Sequence, residues 1–310
     1  MPAAASPSFV SAGTGSAEFA ATRLIAGLLD RLPGPVADSS GRSLARLARL
    51  LRLRREVAEG QLAAAFPDRD AKWITATARN CYLHFGREVA EIARLFESGT
   101  HALSATLRLD AGAGEHIERM KAGAGAIVVT GHLGNWEVAG AYLSALGVPA
   151  AAVVKRQSNA RFDAWLQSSR RRSGVEPIYM EDAARVVPGL LRTGTSVAMV
   201  ADQAAGAGGE LVTFFGRPAS TFRGPARLAL ATGAPLVYGS LLRDGGEYRM
   251  AIESCDVLEG TESGPRERRE RSLTESWVRR LETRVREAPE QYLWFHRRWK
   301  GARTNEETQA

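Results

Sequence analysis

His132 and Glu137 are the side chains whose types and spacing most directly offer chemistry. They place an imidazole and a carboxylate five positions apart in Val128-Val-Thr-Gly-His132-Leu-Gly-Asn-Trp-Glu137. A neutral imidazole can take a proton on one nitrogen when an acceptor holds the other, and a carboxylate acceptor also stabilises the imidazolium that forms. The pair therefore reads as a base and its orienter. No Gly-x-Ser-x-Gly elbow occurs, and neither Cys81 nor Cys255 sits in a nucleophile motif with a histidine, so the group to be deprotonated would come from a substrate. A capped helix with a loop histidine bonded only to backbone fits the same residues, and the motif alone leaves both readings open.

The flanking sequence says which elements would position the pair. Ala126 to Thr130 is a β-branched run expected of a strand buried on both faces, and Trp136 to Leu146 carries a helical apolar stripe. Asn135 falls at the N-cap of that helix, which puts Glu137 in its first turn. Residues five apart on one helix diverge by roughly 140°, so His132 must lie on the connecting loop, where Gly131 and Gly134 permit a tight backbone.

Beyond residue 100 short apolar runs alternate with helical patterns. Strands are expected at 107–110, 126–130, 150–154, 177–179, 195–201, 235–242 and 248–253, and helices at 114–122, 136–146, 159–173, 183–193 and 223–232. This predicts an α/β fold: a mixed, largely parallel central sheet flanked by helices, with an antiparallel closing hairpin. Sites on open α/β sheets gather beyond the carboxyl ends of strands, which is where His132, Lys155 and Asp202 fall. Residues 17–100 read as an N-terminal helical region with helices at Phe19 to Leu32, Arg42 to Ala65 and Ala71 to Glu97. We expect disorder in 1–16, a membrane-facing helical region over 17–100, an α/β core over 101–300 and a polar tail over 301–310, with 16–300 as one structural unit.

A formal charge of +7 and a pI near 9.8 point to anionic partners. No zinc-finger spacing, RNP aromatic motif or basic tail accompanies that charge, so nucleic acid is not expected. Two distant cysteines offer neither a disulfide framework nor a metal knuckle. No segment approaches the roughly 20 apolar residues that span a bilayer. The helix at Phe19 to Leu32 has an apolar stripe that would either lie on a membrane surface or pack on the protein. Among other polar groups, Lys155 and Arg170 fit an anion clamp or helix C-capping, and Asp202-Gln203 ends a strand before a glycine loop that has no Walker lysine. Arg223 opens a helix, where a cation opposes the dipole and needs a substrate anion or Asp202 to hold it. The aromatic and cationic run Glu290 to Lys300 reads as an interfacial anchor or as a plug of the core.

In order along the chain, Gly-His132-Leu-Gly-Asn-Trp-Glu137, Ala-Asp202-Gln203, Phe-Phe-Gly-Arg-Pro-Ala-Ser-Thr-Phe-Arg-Gly-Pro225 and Pro289-Glu-Gln-Tyr-Leu-Trp-Phe-His-Arg-Arg-Trp299 resemble the bacterial lipid A biosynthesis acyltransferase family of the lysophospholipid acyltransferase superfamily. The resemblance spans about Phe19 to Lys300. It implies that His132 of a His-x4-Glu motif is the general base for a substrate hydroxyl attacking an acyl thioester, with Glu137 holding the imidazole and Arg170 facing the oxyanion. Asp202 matches a pocket acid of the family, and no metal or nucleotide cofactor is implied; Asn135, Lys155, Asp202, Gln203 and Arg223 are the substrate contacts expected around the pair. The implied partners are an acyl carrier protein or coenzyme A thioester as donor, a glycolipid acceptor, and the cytoplasmic face of the inner membrane. A lipid A precursor is the first acceptor implied; a phosphatidylinositol mannoside, the acceptor of actinobacterial relatives, or a lysophospholipid is the alternative. The first helix is shorter and more charged than family members usually carry, which implies peripheral attachment, and Gln61 stands where they usually have Asn. A basic module that binds anionic lipid without catalysis is the non-enzyme reading.

Overall fold

A computed structural model describes residues 14–103, 105–257 and 264–300. The expected disorder at the N-terminus falls outside these residues up to position 13, while 14–16 open the first helix; the expected polar tail also lies outside them. Four helices lead the chain: α1 (Thr14–Arg31), α2 (Gly34–Leu50), α3 (Arg55–Ala65) and α4 (Ala71–Ser98). The core follows as β1 (Leu107–Leu109), α5 (Ala113–Lys121), β2 (Ile127–Thr130), α6 (Trp136–Ala145), β3 (Ala150–Val154), α7 (Ala160–Arg172), β4 (Val175–Tyr179), α8 (Ala183–Arg192) and β5 (Ser196–Val200). It continues through β6 (Glu210–Phe214), β7 (Arg217–Thr221), α9 (Gly224–Thr232), β8 (Leu236–Asp244), β9 (Glu247–Ser254) and α10 (Arg266–Glu287).

Seven strands form one mixed sheet in the order β1-β9-β8-β2-β5-β3-β4, parallel throughout except for the β8–β9 hairpin. The expected α/β architecture and N-terminal helical region are both present. Strand β2 is central and wholly buried, and its alternation divides the core. Ile127 and Val129 face the cluster holding Trp277, Leu281 and Trp294, whereas Ala126 and Val128 face Ile117, Val138 and Tyr142.

One expectation is corrected, and a hairpin and a helix appear where no element was expected. The helix expected over Arg42 to Ala65 is two, because Arg52 and Arg54 adopt left-handed backbone (φ 55° and 57°). Contacts distant in sequence hold that turn: Tyr82 Oη donates to the Leu53 carbonyl, and Arg54 Nη1 donates to the Phe295 carbonyl at 3.0 Å. The glycine loop after Asp202 runs into the β6–β7 hairpin, and α10 occupies a stretch to which the sequence reading gave no element. Helix α10 buries Leu273, Trp277, Leu281 and Val285 at intervals of four, a stripe carried within a strongly charged sequence.

Candidate active site

The site is built on the sheet register. Thr130 of β2 pairs with Val200 of β5, and His132 and Asp202 each lie two residues further on, at the carboxyl ends of adjacent parallel strands. The Ala201 N–H donates to the Thr130 carbonyl at 3.0 Å and carries the pairing one step past the strands. His132 Nδ1 lies 2.7 Å from Asp202 Oδ1, and the His132 backbone N–H donates to Asp202 Oδ2 at 3.0 Å. Gly131 makes room for this approach, since a Cβ there would come within 3.2 Å of the Asp202 carboxyl carbon and 2.8 Å of Leu281.

Burial would raise the Asp202 carboxyl, but the charge and hydrogen bonds of His132 outweigh it and bring it down to about 2. Burial would lower the His132 imidazole, but Asp202 overcomes that effect, with a smaller contribution from Glu137, and raises it above 6.5. With Asp202 ionised, Nδ1 carries the proton and Nε2 is the free base. The neighbour described at Nε2 is the Gln203 amide at 3.4 Å, not a hydroxyl or thiol. Both cysteines are buried, and burial pushes the Cys255 thiol up to about 12 and the Cys81 thiol well above its ordinary value.

The loop beneath His132 is fixed from two sides. The C-terminal segment runs against it: the Leu293 N–H donates to the His132 carbonyl at 3.0 Å, and the Gly134 N–H donates to the Gln291 carbonyl at 2.9 Å. On its other side the Asn135 N–H donates to the Leu241 carbonyl of β8 at 3.0 Å. Gly134 has φ +62°, and a Cβ there would lie 1.9 Å from the Leu241 oxygen. The Trp136 ring then meets the imidazole edge-on at 4.7 Å between centroids.

The other sequence candidates divide. Glu137 does not hold His132 by a hydrogen bond; its carboxylate takes two bonds from Arg170 of α7, Nη2–Oε1 at 2.5 Å and Nε–Oε2 at 3.1 Å. Arg170 also donates to Gln167 at 3.0 Å; burial disfavours its charge, but Glu137 more than restores it. Asn135 is bonded within the protein. It is 1% exposed, its Oδ1 caps α6 through the Val138 N–H at 3.1 Å, and its Nδ2 donates to Glu88 at 2.7 Å. Arg223 is likewise committed elsewhere: Glu270, at 2.8 Å, and Glu210, at 3.5 Å, supply the anions that its position required. Lys155 is exposed at the end of β3, on the same sheet edge as His132 but with β5 between their strands.

The sequence reading gave no role to three residues around Asp202. Arg298, 1% exposed, donates to Ser220 and Thr221 and turns its charge toward Asp202; the Tyr292 hydroxyl faces the same carboxylate; and His296 Nε2 accepts the Ala204 N–H at 3.2 Å. All three belong to the aromatic and cationic run, whose Trp294 is fully buried. The core-plug alternative for that run therefore describes Trp294. Gln61 accepts the Arg298 N–H at 2.7 Å and ties α3 to this segment.

A base backed by a buried carboxylate at paired strand ends, with no internal nucleophile described beside it, is an arrangement able to activate a hydroxyl or water from outside. A profile of the bacterial lipid A biosynthesis acyltransferase family matches residues 18–301, and the chain belongs to that family. It is 29% identical over 158 residues to a phosphatidylinositol mannoside acyltransferase of Mycobacterium tuberculosis H37Rv, covering 49% of this chain and 50% of that protein; the protein of that name from strain CDC 1551 matches equally. The chain thus spans about half the length of the curated relatives it matches.

Proposed function

We propose that the protein transfers a fatty acyl chain from an acyl-carrier or coenzyme A thioester to a hydroxyl of a glycolipid. The observation that carries this reading is the His132 imidazole, held by Asp202 at Nδ1 and free to act as a base at Nε2. The imidazole takes the hydroxyl proton as the oxygen attacks the thioester carbonyl, and Asp202 stabilises the imidazolium. The proton then passes to the departing thiolate as the tetrahedral intermediate collapses. Glu137 fixes Arg170 at the margin of the site, where its guanidinium opposes the negative charge that develops on the carbonyl oxygen.

Family membership and the named relatives support a glycolipid acceptor, either a lipid A precursor or a phosphatidylinositol mannoside. Among the described residues no helix is long and apolar enough to cross a membrane. Attachment would use the exposed apolar side chains Leu24, Ile25 and Leu28 of α1, Leu44, Leu47 and Leu50 of α2, and Leu51 and Leu53, which are interspersed in sequence with the exposed Arg46, Arg52 and Arg54. An apolar patch mixed with cations suits the headgroup zone of an anionic bilayer. The test is incubation of purified protein with an acyl-carrier thioester and each glycolipid, followed by mass spectrometry. Acylated lipid is expected; release of free fatty acid alone would make the protein a hydrolase.

A further inference from the structure

A cavity of about 230 Å³ lies between α2, α4, the β8–β9 turn and the C-terminal segment. It is lined by Arg42, Arg87, Arg243 and His84. Each arginine is held by protein contacts that leave other donors of its guanidinium unused. Arg42 and Arg87 share Asp38, at 2.8 and 3.1 Å; Arg87 also donates to the Gly245 carbonyl at 3.1 Å. Arg243 pairs with buried Glu88 at 2.5 Å, and the Gln291 amide clamps its backbone N–H and carbonyl at 2.9 and 2.8 Å. Three cations therefore face two paired carboxylates. Burial pushes the carboxyl of the nearby Glu91 up and weakens its claim on the same charges.

His84 supplies the second observation. Its Nε2 is buried without a hydrogen-bond partner, and burial, with Arg243 adding to it, holds the imidazole down to about 4 against the pull of Glu88. A neutral ring adds no charge of its own to the wall, so the three guanidinium groups leave the cavity suited to an anion with several oxygens. We propose that this cavity binds a phosphate group of a substrate, its oxygens on the unused guanidinium donors of Arg42, Arg87 and Arg243, with the neutral His84 ring forming part of the wall. The cavity is smaller than a site for a whole drug-sized ligand, roughly 300–1,000 Å³, and suits one phosphate with its immediate neighbour. Ring contacts link its wall to the base: Phe85, next to His84, packs on Trp136 at 6.5 Å, and Trp136 packs on His132. The phosphate belongs either to the acceptor headgroup or to the carrier arm of the donor, an alternative that rests on the acyl-transfer reading.

The test is thermal unfolding with inorganic phosphate against chloride at matched ionic strength, on the wild type, Arg42→Gln and Arg87→Gln. Arg42 is 40% exposed, so its variant is expected to keep the fold. A saturable rise in Tm for the wild type, lost in both variants, is expected. In acyl transfer the variants should raise one KM about tenfold, as loss of a charge-assisted bond does, with kcat little changed. A rise for the lipid names the acceptor as the source, and a rise for the thioester names the donor. No phosphate-dependent rise, an equal rise in the variants, or both KM values unchanged in an active enzyme would overturn the proposal. If no acyl transfer occurs at all, the unfolding measurement still reads the cavity, so the two readings fail separately.

Discussion

Asp202→Asn separates a carboxylate that orients and charges the base from one that merely fills space. The side chain is 3% exposed, and each of its oxygens serves His132, one at the ring and one at the backbone. Asparagine keeps the shape but loses the charge. It can also turn its NH2 toward Nδ1, which would move the ring proton to Nε2 and leave no base facing the substrate. Loss of a positioned general base predicts a fall in kcat/KM of about 10²–10⁴-fold. The pH profile adds a signature that a packing defect would not give. The working base is neutral, so activity rises with pH through the His132 pKa, which in the wild type is raised above 6.5. Without Asp202, burial dominates and the acid limb of the residual activity moves below 6.5. Stability follows the same ion pair, seen from its two partners. Raised His132 contributes fully below 6.5 and loses its contribution as pH climbs through its folded pKa; depressed Asp202 contributes above 3.8 and loses its contribution as pH falls toward 2. The wild type should therefore exceed the variant in stability most clearly between 3.8 and 6.5. A folded Asp202→Asn enzyme with an unmoved acid limb and a rate within about threefold of wild type would refute this reasoning.

Glu137→Gln and Arg170→Gln should each slow acyl transfer, and in a double-mutant cycle their effects should overlap by roughly 0.5–3 kcal/mol, because the two side chains act as one bonded pair; strict additivity would separate them. Gly134→Ala should lose about 2 kcal/mol or more in a denaturant titration, since its Cβ would stand 1.9 Å from the Leu241 oxygen at a left-handed φ. Leu50→Asp with Leu51→Asp should weaken binding to anionic vesicles by an order of magnitude or more in a flotation assay, given about 1.5–3 kcal/mol for each buried leucine; unchanged binding would move the membrane face elsewhere.

The strand and helix alternation of the core was legible because buried β-branched runs and apolar stripes are local signals. Asn135 as the cap of α6 was legible for the same reason, as its Oδ1 bond to the Val138 N–H shows. Strand order is not local. That β2 and β5 are neighbours in a register aligning Thr130 with Val200 cannot be read from either run; the sequence offers only the nearby Glu137 as orienter, whereas the fold brings up Asp202, seventy positions from His132. Arg223 shows the same limit: its need for an anion followed from its place at a helix start, but Glu270, in a helix the pattern did not single out, is what meets it. The turn between α2 and α3 carries no glycine or proline in Leu51 to Arg54, and its left-handed arginines depend on bonds from Tyr82 and Arg54 to distant backbone. Tyr292 and Arg298 were visible as an aromatic and cationic run, but their approach to Asp202 required the folded C-terminal segment.

The central claim is that His132 removes the proton from an acceptor hydroxyl, and the most direct measurement of it is the turnover of His132→Ala with a saturating acyl-carrier thioester and glycolipid. Circular dichroism and unfolding should show the fold intact, with acylated lipid formed at least about 10²-fold more slowly than by the wild type. Acyl transfer at near wild-type rate by the folded variant would contradict the account.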